Sequence, residues 1–85
     1  MISVSVLFFA SLRDATCTGG MEVSLPDDSD LTALIQRLQQ DLGSEAIAAL
    51  QAENVRIALN QTLISRTGIL QDGDEIAFLP PVTGG

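Results

Sequence analysis

The chain has 85 residues, 46% of them hydrophobic, with eleven acids against four arginines and a formal charge of −7. That length accommodates one core and no second domain, and the charge opposes nucleic acid, whose phosphates repel it at every approach. One cysteine, Cys17, and no histidine leave neither an internal disulfide nor a zinc site, which fits a reducing, cytoplasmic setting.

In the opening "MISVSVLFFASL", Ile2, Val4, Val6 and Phe8 alternate with Ser3 and Ser5, which predicts a strand over 2–9. The run resembles a signal peptide in apolarity alone. No basic residue precedes it, the first positive charge being Arg13 with Asp14 beside it. No stretch has the length of a membrane span, so no membrane partner is expected.

A short helical turn is expected over 11–17, then a turn at "TGG" (18–20). Met21, Val23 and Leu25 alternate with Glu22 and Ser24, predicting a second strand that forms a hairpin with the first. "PDDSD" breaks this pattern and supplies a helix cap in Ser29 or Asp30. Leu31, Leu34, Ile35, Leu38 and Leu42 then form one helical stripe, with Gln36, Arg37, Gln39 and Gln40 facing away. Gly43 ends this helix, and Ser44 is expected to cap a shorter one reaching about Gln51.

Strands are expected over 55–59 and 63–65 around a tight turn at Asn60–Gln61. "QDGD" (71–74) is a turn signal, residues 75–79 form the last strand, and Pro80 ends it by withholding an N–H from the ladder. The chain therefore reads as one α+β domain over 1–79 with an extended tail over 80–85. Among two-layer options, parallel central pairing of the first and last strands gives the ubiquitin-like β-grasp, a mixed sheet on one main helix.

"LFF" (7–9) and "IAFL" (76–79) are apolar on both strand faces. Either both faces are covered, or the second face forms an apolar patch around Phe9 and Leu79, a mark of a partner site. The chain ends "PPVTGG". Gly84 and Gly85 lack Cβ atoms and can thread a narrow channel, and Pro80 and Pro81 hold the base of the tail extended. A terminal carboxylate is a poor electrophile until activated. No glycine-rich phosphate loop with its lysine is present, so ATP would have to be bound by another protein. The chain has no lysine at all, so an activated acyl group finds no side-chain amine on it; drift towards arginine accounts equally well for that composition.

The stretches "VLFFASLRD" (6–14), "LNQTLIS" (59–65) and "DGDEIAFLPPVTGG" (72–85) resemble the sulfur-carrier (small) subunits of molybdopterin synthase. The likeness extends over the whole length, with 27–52 matching in pattern only. It implies that an adenylating enzyme, using ATP and magnesium, activates the Gly85 carboxylate. A persulfide donor then leaves a thiocarboxylate there, and the carrier docks on the large synthase subunit to give sulfur to a pterin precursor. No cofactor would be bound by this chain, and two small and two large subunits would assemble. By position the resemblance places Phe9, Leu63, Leu79, Pro80, Pro81, Val82 and Thr83 against partners, with Gly84 and Gly85 at the reacting end. Arg13 would aid docking on the adenylating enzyme. Two alternatives share the fold and the Gly-Gly end: a thiamine-pathway sulfur carrier, and a ubiquitin-like binding module or protein tag.

Overall fold

A computed structural model describes residues 1–64 and 68–80. In chain order it contains β1 (Ile2–Phe8), α1 (Ser11–Thr16), β2 (Gly20–Leu25), α2 (Leu31–Leu42), α3 (Ser44–Leu50), β3 (Arg56–Leu59), β4 (Thr62–Ile64) and β5 (Glu75–Leu79). The five strands form one sheet in the order β2-β1-β5-β3-β4. The β1–β5 pair is parallel and the other pairs are antiparallel. With α2 packed on one face, this is the ubiquitin-like β-grasp.

The first strand stops at Phe8, one residue short of the expectation. Ala10 takes φ 51° and ψ −126°, which turns the chain out of the sheet and into α1. β1 and β2 pair antiparallel as expected, their connection running through α1, and β2 already begins at Gly20. Gly20 belongs there for want of space: a Cβ would sit 2.9 Å from the Val6 carbonyl oxygen. The last helical position of α1 is Thr16, since Cys17 turns left-handed at φ 61°.

Of the two candidate caps, Asp30 serves α2, its Oδ1 accepting from the Ala33 N–H at 2.9 Å. Ser29 is buried beneath it, its hydroxyl donating to the Pro26 carbonyl at 2.7 Å. Leu31, Leu34 and Leu38 are buried, with Ile35 and Leu42 half-buried beside them. Each fully buried leucine contributes about 1.5–3 kcal/mol. Ser44 does not cap α3. Gly43, at φ 90°, both closes α2 through its N–H to the Gln39 carbonyl and precedes α3, so Ser44 is already helical.

Asn60 and Gln61 turn β3 into β4 with φ 50° and 71°, the two left-handed residues of a type I′ hairpin. This places β4 at Thr62–Ile64, one residue earlier than expected; Ser65 lies outside the described residues. Between sheet and helices lies the core: Val4, Val6 and Phe8 of β1 and Ile76 and Phe78 of β5, with the Phe8 and Phe78 rings stacked 5.8 Å apart. Among the described residues no helix is long and apolar enough to cross a membrane.

Candidate functional site

Among the described residues no helix covers the sheet's second face. Strand register fixes what it presents, because residues two apart share a face. A row crosses all five strands there: Gly20, Leu7, Ala77, Ala58 and Leu63. One step towards the chain's end lie Phe9, Leu79 and Arg56; Leu79 and Arg56 are direct partners. The Phe9 N–H still reaches the Phe78 carbonyl at 3.3 Å, so its ring remains beside β5 although the strand has ended.

These residues bound a groove of about 500 Å³ lined by Leu7, Phe9, Ala58, Gln61, Leu63, Glu75, Ala77 and Leu79. Ala58 and Ala77 keep the floor low between the larger walls. Leu63 and Phe9 are among the few large hydrophobic residues left exposed, at 62% and 43%. An apolar depression on a sheet face, open to water, is a surface for a partner. Of the two sequence readings of "LFF" and "IAFL", the open face holds.

Of the residues singled out from sequence, Phe9, Leu63 and Leu79 meet in this groove, and Pro80 follows Leu79 at its end. Arg13 is not in the lining. It lies on α1, with its guanidinium against Gly19: Nε is 3.3 Å from where a Gly19 Cβ would be. Pro81, Val82, Thr83, Gly84 and Gly85 lie outside the described residues. Sequence reasoning missed Ala58, Gln61 and Glu75. The small size of Ala58 and Ala77 amid aliphatic strands was a signal, but their adjacency depends on register.

Little else in the described chain offers chemistry. Cys17 is exposed, its Sγ directed to the Asp14 carbonyl at 3.8 Å. Among the described residues no cluster of three or more His, Cys, Asp or Glu is arranged to hold a metal. The groove therefore reads as a docking surface beside which β5 ends at Leu79.

Residues 6–85 match the ThiS family. The chain is 43% identical over 82 residues to a protein of Escherichia coli named molybdopterin synthase sulfur carrier subunit, covering 96% of this chain and 99% of that one. Among solved structures it is similar to a complex of subunits 1 and 2 of the molybdopterin-converting factor from Helicobacter pylori, with a TM-score of 0.68 and 30% identity over 99% of this chain and 100% of that one. It is also similar to the small archaeal modifier protein 1 of Methanosarcina acetivorans, with a TM-score of 0.80 and 25% identity, covering 100% and 98% of the two chains.

Proposed function

The chain belongs to the ThiS family, and from that premise we propose that it is the sulfur-carrier small subunit of a molybdopterin synthase. The observation that carries this reading is the groove at whose end Leu79 leads into Pro80, with the Gly-Gly sequence five residues further on. A carrier needs a docking face and a reactive end reaching away from it. Six extended residues reach roughly 20 Å, enough to deliver an end group into a partner's interior.

In this reading Gly85 is the reacting residue. An adenylating enzyme converts its carboxylate to an acyl-adenylate with ATP and magnesium, releasing pyrophosphate. The terminal sulfur of a donor persulfide attacks the acyl carbon and expels AMP, and a thiol then cleaves the acyl disulfide, its own sulfur ending in a disulfide with the donor. The resulting thiocarboxylate is carried to the large synthase subunit and gives its sulfur to a pterin precursor. Phe9, Leu63 and Leu79 hold the partner, Pro80 to Thr83 span the distance, and Gly84 and Gly85 enter the partner's channel. Arg13, outside the groove, serves docking on the adenylating enzyme. The nucleotide and magnesium belong to that enzyme, the cycle runs in the cytoplasm, and the transfer to the precursor takes place in an assembly of two small and two large subunits.

The likeness to the archaeal modifier supports a second reading, a tag whose terminus forms an amide with another protein's lysine. A thiamine-pathway carrier would share the thiocarboxylate but co-purify with a thiazole synthase. The test is the mass of the C-terminal tryptic peptide, residues 67–85, from protein isolated from its native host. Replacement of one oxygen by sulfur has nearly the nominal mass change of an oxidation, and this peptide contains neither Met nor Cys. A shift localised to Gly85 and reversed by hydrolysis is the expected result. A free carboxylate in every preparation, even with activating enzyme, ATP and a sulfur source, would overturn the carrier reading.

A further inference from the structure

The groove has two unlike ends. Opposite Leu79 the open face carries Arg56, whereas on the other side of the Leu7–Ala77 row the next row is Glu22, Ser5 and Glu75. Glu22 is held on this face by two hydroxyls, Ser3 donating to its Oε2 and Ser5 to its Oε1, each at 3.2 Å. Glu75 lines the groove itself and is half-buried. Two strand spacings separate these acids, about 10 Å across Ser5. Asp72 and Asp74 extend the acidic end, Asp72 accepting from the Ser3 N–H at 2.8 Å and Asp74 from the Asn60 side-chain amide at 3.0 Å. Among the described residues the ion pairs are Met1 with Asp27 and Arg37 with Asp41, and neither neutralises any of these four carboxylates.

A partner that fills the groove must cover Glu75, because Glu75 is part of its wall. A carboxylate stripped of water without a counter-charge loses hydration and gains nothing in return. We propose that the groove takes a surface of the large synthase subunit built as an apolar ridge bordered on one side by at least two arginine or lysine side chains, which meet Glu75 and Glu22. The ridge packs on Leu7, Ala77, Ala58 and Leu63, and the basic border fixes which way round the partner sits, so that its channel faces Pro80 and the chain's end. The same carboxylates exclude acidic surfaces. A second copy of this chain, at −7, is repelled, which keeps an exposed apolar groove from pairing with itself.

This inference rests on the carrier reading and is tested on the full-length chain with the large subunit encoded by the same genome. Association and dissociation rates are measured from low salt to about 0.5 M, where screening reaches within a few ångströms. The proteins compared are wild type, Glu22→Gln/Glu75→Gln, the single Glu75→Gln, and Leu63→Asp. We expect the double variant to associate about three- to ten-fold more slowly at low salt, with the difference vanishing at high salt. Glu75→Gln is expected to lie between, and Leu63→Asp to act through faster dissociation. Equal association rates and salt slopes for wild type and both glutamine variants would overturn the basic border while leaving the carrier reading standing. Faster association of the glutamine variants would overturn it too. Failure of the wild-type chain to bind would overturn the carrier reading and this inference with it.

Discussion

Ala58 and Ala77 stand directly opposite each other across the β3–β5 ladder, their methyl groups forming the floor of the groove between Leu7 and Leu63. Both face away from the helices. Enlarging either fills the docking surface without entering the core. Ala58→Phe is therefore expected to change stability by about 1 kcal/mol or less, since an aromatic residue suits a strand. It is expected to weaken large-subunit binding by about 2 kcal/mol or more, because the partner's ridge loses its seat. Thermal melting together with calorimetric titration checks both halves. Undiminished affinity would mean that the partner docks elsewhere.

Leu63 and Leu79 wall the same groove at different depths, with Leu63 62% exposed and Leu79 half-buried. Placing a charge at Leu63 leaves it hydrated in the free chain and stranded under the partner in the complex. Leu63→Asp is expected to alter stability by about 0.5 kcal/mol at most and to weaken binding by about 2–4 kcal/mol. Leu79→Asp should weaken binding by a few kcal/mol and also lower the melting temperature, since Leu79 is half-buried and a carboxylate there loses part of its hydration. If the two variants were indistinguishable in stability, the depth difference would not matter in solution.

Ala10 occupies φ 51° and ψ −126°, a region open to glycine and strained for any residue with a Cβ. It sits between Phe9, which remains in the groove, and α1, and the turn there is held by the Arg13 N–H to the Ala10 carbonyl at 3.0 Å. Ala10→Gly relieves the strain and is expected to raise stability by about 1 kcal/mol, net of glycine's greater freedom in the unfolded chain. Denaturant unfolding measures this, and a loss of stability would show that the strain is not there.

The turn at Ala10, after the end of β1, is the kind of feature that a sequence does not display. Alternation of Val4, Val6 and Phe8 against Ser3 and Ser5 located β1, and the stripe from Leu31 to Leu42 located α2, because each periodicity has a single geometric meaning. Apolar residues on both faces of "LFF" and "IAFL" marked the two central strands, whose parallel pairing the structure contains. Nothing in an alanine announces a positive φ, so the early exit of β1 was invisible. Nor does any strand state its register: Ala58 joined the groove through its partners Leu63 and Ala77, and Glu75 became a wall because it stands beside Ser5. Ser44 was misread as a cap because a single glycine, Gly43, both ends one helix and starts the next.

Extending the chain separates the reactive end from the fold most sharply. Among the described residues the core runs from Val4 to Phe78, and an alanine added after Gly85 is expected to leave the melting temperature unchanged. It displaces the terminal carboxyl group by about 3.5 Å and puts a Cβ on the terminal residue, which in the proposed reading enters the partner's channel. Misplacement of a reacting group by about 1 Å can cost roughly 100-fold, so sulfur transfer to the pterin precursor is expected to disappear. Deleting Gly85 should have the same effect from the other direction. Binding to the large subunit, which in the proposed reading rests on Leu7, Phe9, Leu63 and Leu79, should survive both changes within a few-fold. Single-turnover transfer from a thiocarboxylated chain, measured beside affinity, tests the division of labour. Retained transfer by either variant would sink the proposal that Gly85 is the carrier residue.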